Sequence, residues 1–352
     1  MYPALAVHKA LTAQQANLET LWVGGEGGME ERLVQRAGIP FRAIPAAGVH
    51  GVGLRQLPGN VAKLGRGVLA ARRILREFRP DVLFFTGGYV AVPMALAGHR
   101  IPTVLYVPDI EPGLALKTLA TFADRIALTA PESSRYFTRQ ARLVVTGYPT
   151  RPELSAWTRS EARRALNLRA EIPVLLVFGG SKGARSINRA VLAHLPALLE
   201  MAQVVHISGE LDWPEVEKMA RDLDHPHYHP LPYLHEEMGA ALAAADLALS
   251  RAGASTLGEY PLFGLPSILV PYPHAWRYQK VNADYLVQNG AAILLEDARL
   301  TTDLLPAVRA LLLDPARLEA MRTAVRSLAR PQAATEIGRL LLDLAEERSK
   351  AC

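Results

Sequence analysis

Three stretches of the 352-residue chain combine residue types suited to an anionic or hydroxylated ligand. In the first, the apolar run Val174-Leu175-Leu176-Val177-Phe178 enters Gly179-Gly180-Ser181-Lys182-Gly183-Ala184-Arg185. Glycines let a backbone approach a ligand closely, and the free N–H groups of a helix starting near Ala184 favour a phosphate. A turn that merely reverses the chain is the plainer reading. The second stretch, Phe85-Thr86-Gly87-Gly88-Tyr89-Val90, is another glycine turn after an apolar run. The third, Ser250-Arg251-Ala252-Gly253-Ala254-Ser255-Thr256-Leu257-Gly258-Glu259, opens a helix with small residues and hydroxyls. Glu259 falls in its first turns, where a carboxylate can accept two hydrogen bonds from a ribose diol or simply complement the helix start. Downstream, Pro271-Tyr272-Pro273-His274-Ala275-Trp276-Arg277-Tyr278-Gln279-Lys280-Val281-Asn282 forms a polar and aromatic loop.

Short apolar runs ending in glycine or proline alternate with amphipathic segments, the pattern of a doubly wound parallel sheet. Strands are expected at 21–23, 81–86, 103–107, 125–129 and 143–146, then at 173–178, 204–208, 246–250, 267–271 and 291–295. Their continuous Val/Leu/Ile content implies burial on both faces. Ligands bind such sheets outside the carboxyl ends of the strands, where the glycine turns lie. The linker Gly147 to Leu154 separates two α/β domains, 1–150 and 151–335, with 336–352 as a terminal helix. Between them in character is the segment Leu57 to Phe78, with Leu57, Val61, Leu64, Val68, Ala71, Leu75 and Phe78 at helical spacing, although Gly65 and Gly67 count against a helix.

Composition narrows the class. The chain is 50% hydrophobic and 21% charged, as in a folded protein. Its one cysteine, Cys352, excludes a disulfide framework, a thiolate zinc cluster and a cysteine nucleophile among the readings. Asp222-Leu223-Asp224 and the run His225-Pro226-His227-Tyr228-His229 read as structural, so no metal is expected. No apolar stretch reaches the ~18 residues that would span a bilayer, and no charged-then-apolar leader opens the chain. The net charge of +5 is uneven: the first 150 residues carry +7 and the remainder −2. The chain opens at Met1-Tyr2-Pro3-Ala4-Leu5-Ala6-Val7 as a helix with no strand before it, so a strand and glycine turn of roughly 10–15 residues is expected upstream.

Taken in order, Tyr2-Pro3-Ala4-Leu5-Ala6-Val7, Gly87-Gly88-Tyr89-Val90, Gly179 to Arg185, Ser250 to Glu259, and Pro273-His274 with Gln279 and Asn282 resemble the MurG family. The similarity extends to Arg330-Pro331-Gln332-Ala333-Ala334. These are GT-B enzymes of glycosyltransferase family 28, and the resemblance implies two Rossmann-like domains facing a cleft. It implies inverting transfer of N-acetylglucosamine from UDP-N-acetylglucosamine (UDP-GlcNAc) to the muramoyl-pentapeptide pyrophosphoryl-undecaprenol acceptor, lipid I to lipid II, in peptidoglycan synthesis. No cofactor is implied. The location implied is peripheral, on the cytoplasmic face of the cell membrane.

By the same resemblance, Ser181 serves the nucleotide phosphate and Arg151 reaches the sugar nucleotide. Ala254, Ser255, Thr256, Leu257, Gly258 and Glu259 hold uridine and ribose, with Glu259 on the ribose hydroxyls. Gln279 reads the N-acetylglucosamine ring, and Leu234 or His235 contacts uracil through its backbone. Asp109 stands where the family has a donor-contacting asparagine, and Trp276-Arg277-Tyr278 replace more polar residues. The family's first glycine loop and its histidine, expected before Tyr2, are absent from the sequence. Candidates for the general base are Asp109, Glu111 and that missing histidine. Lys63, Arg66, Arg72, Arg73 and Arg76 then become a patch for anionic headgroups rather than nucleic acid, with a merely solvated face as the plainer reading.

Other readings remain open. Another UDP-sugar transferase or a UDP-sugar epimerase fits the same donor motifs, as does a non-catalytic fragment. A nicotinamide-dependent dehydrogenase would show Gly-x-Gly-x-x-Gly after a first strand, and the sequence has no such unit.

Overall fold

The computed structural model describes residues 1–15, 17–28, 30–46, 57–180, 183–234, 237–273 and 276–351. The chain forms two compact units, Met1–Pro149 with Gln332–Cys352, and Thr150–Pro331.

The first unit runs α1 (Tyr2–Gln14), β1 (Trp22–Gly25), α2 (Glu30–Arg36), β2 (Phe41–Ile44), α3 (Leu57–Phe78), β3 (Leu83–Phe85) and α4 (Ala91–Ala97). It continues with β4 (Thr103–Val107), α5 (Leu114–Leu119), β5 (Arg125–Leu128) and β6 (Leu143–Val145). Among the described residues its strands form two parallel sheets, β1-β2 and β3-β4-β5-β6. Ile44 at the end of β2 shares a core with Leu83, Phe85, Leu105 and Leu128 of the larger sheet. Strand β2 is absent from the sequence expectations because Phe41-Arg42-Ala43-Ile44 has one fully buried residue and no apolar run.

The last helix belongs here rather than standing apart as a tail. Ile337, Leu341 and Leu344 recur on one face of α14 (Ala333–Ala351) and are buried. Gly338 lies against Leu11 of α1, close enough that an added Cβ would be 3.3 Å from it.

Helix α3 runs unbroken through both glycines. At Gly67 a Cβ would lie 2.3 Å from the Pro45 carbonyl oxygen, so the missing side chain is what lets the helix close onto the end of β2. Ala71 and Ile74 are buried, while Lys63, Arg66, Arg72, Arg73 and Arg76 are all exposed. The buried stripe therefore includes Ile74, one position from the expected Leu75.

The second unit contains α6 (Arg159–Ala165), β7 (Val174–Phe178), α7 (Arg185–Leu199), β8 (Gln203–Ile207), α8 (Trp213–Leu223), β9 (Tyr228–Leu231) and α9 (Met238–Ala244). It goes on through β10 (Leu247–Ser250), α10 (Thr256–Phe263), β11 (Ser267–Leu269), α11 (Trp276–Gln288), β12 (Ala292–Leu294), α12 (Leu300–Leu312) and α13 (Pro315–Ser327). The strands make one parallel sheet in the order β12-β11-β10-β7-β8-β9. The chain builds outward from β7 to β9, then crosses back and builds the other half from β10 to β12. Leu175, Val177, Val204, Leu247 and Leu249 are all fully buried in the main core, as strands covered on both faces require.

At the amino ends of β7 and β10, the buried Asp246 carboxylate accepts from the Val174 N–H (2.9 Å) and from Arg163 Nη2 (2.7 Å), and also pairs with Arg159 and Arg322. Arg163 additionally donates to the Ala244 carbonyl. One carboxylate thus ties α6, β7, β10 and α13 together, and its partners satisfy a charge that would be costly alone.

A second buried chain holds the start of α7. Arg185 Nε donates to Asp212 (2.9 Å), and Asn188 Nδ2 donates to Asp212 (2.8 Å) and to the Ser208 carbonyl (2.9 Å). Asn188 therefore offers its oxygen to His206 Nε2 at 3.0 Å, which must carry the proton, and His206 Nδ1 accepts from the Tyr228 hydroxyl at 2.9 Å. Burial pushes His206 from its ordinary 6.5 to about 4. Between those values the unfolded chain binds a proton that the folded chain refuses, so stability rises with pH across the window and falls away on acidification. The shift corresponds to about 3 kcal/mol. Urea midpoints measured from pH 4 to 7 should show this slope, and His206→Gln should flatten it; an equal slope in the variant would refute the assignment.

Candidate functional site

The strand order reverses between β7 and β10, and the loops leaving these neighbours at their carboxyl ends diverge there. Such a switch point is where open parallel sheets leave a crevice for ligands.

On the β7 side lies the glycine turn. A Cβ on Gly179 would meet the Ala184 backbone nitrogen at 2.2 Å, and one on Gly183 would meet the Ser208 carbonyl oxygen at 2.5 Å. These two glycines are needed for the tightness of the turn itself. Gly180 differs: its φ of +83° requires glycine, yet the space beside it is open, leaving bare backbone facing outward. Helix α7 begins at once, with no side chain capping its first N–H groups. Those groups can receive a phosphate. Ser181, with Lys182, lies outside the described residues.

On the β10 side, Gly253-Ala254-Ser255 wind into α10, with the Thr256 hydroxyl donating to the Gly253 carbonyl at 2.8 Å. Thr256 and Leu257 are buried, so of the Ala254 to Glu259 stretch these two can offer a ligand only backbone. Ala254, Ser255, Gly258 and Glu259 are part-exposed. The Glu259 carboxyl is pushed up to about 7, chiefly by burial, against the opposing pull of the Arg151 charge and a hydrogen bond with Ser255. The structure thus brings together Arg151, Ser255 and Glu259, which are more than 100 positions apart at their extremes. A carboxylate so placed, with a cation beside it, can hold a diol.

Farther along the same edge, past β11, the Tyr272 N–H donates to Gln279 Oε1 at 2.8 Å. Asn282 is fully buried and donates to the Ala252 carbonyl, tying α11 to the segment after β10. Leu234 is part-exposed beyond the end of β9, the outermost strand of its half. His235 and His274 lie outside the described residues. Sequence reasoning included Arg251 in its motif without giving it a task, and the signal was only its place directly after β10.

In the first unit, Gly87 (φ +102°) and Gly88 (φ +91°) turn the chain after β3 and leave Tyr89 58% exposed. After the adjacent β4 come Asp109, part-exposed, and Glu111, buried and 3.9 Å from Lys117. Of the two, Asp109 is the carboxylate within reach of a ligand. On α3, Arg73 pairs with Glu77 at 2.8 Å, and Leu69 stands 65% exposed among the basic side chains. Among the described residues, no three His, Cys, Asp or Glu side chains are placed to hold a metal ion, and no helix is long and apolar enough to cross a membrane.

Comparison with known proteins places this geometry. Residues 1–128 match the glycosyltransferase family 28 N-terminal domain, and residues 174–337 match the glycosyltransferase family 28 C-terminal domain. A relative from Roseiflexus sp. (strain RS-1) is 40% identical, with all of this chain and 94% of that protein covered. It is named UDP-N-acetylglucosamine--N-acetylmuramyl-(pentapeptide) pyrophosphoryl-undecaprenol N-acetylglucosamine transferase. The crystal structure of Acinetobacter baumannii MurG aligns with a TM-score of 0.77 at 28% identity, over 97% of this chain and 95% of that one. A UDP-N-acetylglucosamine 2-epimerase aligns with a TM-score of 0.67 at 15% identity, over 97% and 93% of the two chains, a likeness of fold alone. With both family domains matched in order and a relative this similar from end to end, the chain belongs to glycosyltransferase family 28, in its MurG branch.

Proposed function

We propose that this enzyme transfers N-acetylglucosamine from UDP-GlcNAc to the muramoyl-pentapeptide pyrophosphoryl-undecaprenol acceptor, with inversion. The observation that carries the reading is end-to-end similarity to a transferase of that name, joined to a buried carboxylate beside a cation and an uncapped helix start on either side of one switch point. The epimerase likeness extends only to the fold, and the family domains favour transfer.

The acceptor hydroxyl attacks the anomeric carbon, and the bond from that carbon to the UDP oxygen breaks with its electron pair leaving on UDP. The first N–H groups of α7, with Ser181, receive the pyrophosphate as its charge grows. Glu259 accepts the ribose hydroxyls, Arg151 adds a positive charge beside it, and Ala254 to Gly258 line the nucleoside. Leu234 offers backbone to uracil. Gln279 meets the sugar ring, and Asp109 takes the proton that the acceptor hydroxyl gives up. The exposed cations of α3, with Leu69 among them, dock the first unit on the anionic cytoplasmic face of the membrane.

Incubating the protein with UDP-GlcNAc, with and without lipid I, tests the reaction: UDP should appear only with the acceptor, and an epimerised sugar nucleotide formed without it would refute transfer. Because the diol needs an ionised carboxylate, UDP affinity should fall as pH drops through 7, and binding near that pH should release the Glu259 proton, visible by calorimetry in two buffers. Glu259→Gln should bind UDP at least about tenfold more weakly at pH 8 and without that pH dependence; pH-independent binding by the parent protein would remove Glu259 from the ribose. Reversing the charges of Arg72, Arg73 and Arg76 should abolish sedimentation with vesicles rich in anionic lipid while UDP affinity holds, and unchanged sedimentation would relocate the membrane face.

A further inference from the structure

We infer that Arg251 is a positioning residue that sets the sugar-reading side of the donor site, so that affinity for the sugar of UDP-GlcNAc depends on it far more than affinity for UDP does. This rests on the function proposed above.

The Arg251 side chain is only 10% exposed, yet it bridges four segments. Its Nη1 donates to Asp297 at 2.5 Å, in the turn after β12, and to the Val270 carbonyl at 3.2 Å, just after β11. A longer contact of 3.4 Å reaches the Pro271 carbonyl. Its Nη2 donates to the Ser186 hydroxyl at 2.8 Å, in the first turn of α7, and that hydroxyl donates to Asp297 at 2.6 Å. The guanidinium also lies 5.3 Å from the centre of the Tyr272 ring. A cation this deep persists only if its charge and its N–H groups are both met. Asp297 meets the charge, and the carbonyls and the serine take N–H groups of Nη1 and Nη2. Lysine, a single compact ammonium, cannot span this fork.

What the fork holds is the turn at residues 270–272. Tyr272 follows directly, and its N–H fixes Gln279 through Oε1. That bond orients the side-chain amide and leaves its two N–H donors, with the second lone pair of Oε1, for a ligand. The line of support therefore runs from Arg251 to the carbonyls of the turn, to Tyr272, to Gln279. The nucleotide side shares one support with this line, the Arg251–Ser186 bond in the first turn of α7, but has others of its own. Glu259 and Arg151 lie on the β10 side, and the start of α7 is independently held by Asp212, Asn188 and His206.

Calorimetric titration of the full-length protein with UDP and with UDP-GlcNAc tests the role, using Arg251→Met and Arg251→Lys. In both variants UDP-GlcNAc affinity should fall about tenfold more than UDP affinity, and amide exchange at Tyr272 should quicken. A residue that merely supports the fold would weaken both ligands together. An unchanged ratio of the two affinities in either folded variant overturns the role, and should Arg251→Met fail to fold, Arg251→Lys gives the same reading. Failure of the parent protein to bind UDP-GlcNAc would instead overturn the proposed function, and this inference with it.

Discussion

The second unit depends on the bond from the Val174 N–H to the Asp246 carboxylate. It fixes the register in which β7 and β10 begin, so Leu247 lies beside Leu175 and Ser250 beside Phe178. Because the two strands start level, they also end level. Gly179 and Arg251 leave the sheet as immediate neighbours about 16 Å away, the rise of five strand residues. The Asp246 cluster at one end of the sheet and the glycine turn and helix starts at the other are thus two ends of one strand pair.

Charge is divided between the units in a similar way. Several cations of the second unit each face a carboxylate nearby: Arg163 with Asp246, Arg185 with Asp212, Arg251 with Asp297. The exposed cations of α3 outnumber the carboxylates that answer them there, and Glu77 engages Arg73 at 2.8 Å with Arg42 at the 4.0 Å margin. A surplus carried on one helix surface acts at a distance of about a Debye length.

Much of this was legible in the residues. Apolar runs gave the central strands within a residue or two because strands buried on both faces have no polar alternation to obscure them. Strand β2 escaped because burial of Ile44 alone leaves no pattern. The glycine turns were legible as turns, but not that Gly179 and Gly183 are consumed by the turn while Gly180 faces open space, which depends on where Ala184 and Ser208 sit. Long-range partners were invisible: Arg151 beside Glu259, Arg251 with Asp297 and Asp246 with Val174 are joined by the fold over 46 to 108 positions. Resemblance supplied Glu259 with a role, yet only its burial explains a carboxyl poised near 7.

Gly65 and Gly67 of α3 are unequal in what they permit. At Gly65 an added methyl group would meet nothing within 4 Å, whereas at Gly67 it would strike the Pro45 carbonyl. Position 65 can therefore drift to alanine during divergence with a gain in helix propensity of about 1 kcal/mol. Position 67 cannot drift without lifting the basic helix from the sheet beneath it. Among descendants of this sequence the helix can stiffen from its solvent side only, and the spacing between its cations and the core is inherited as a fixed length.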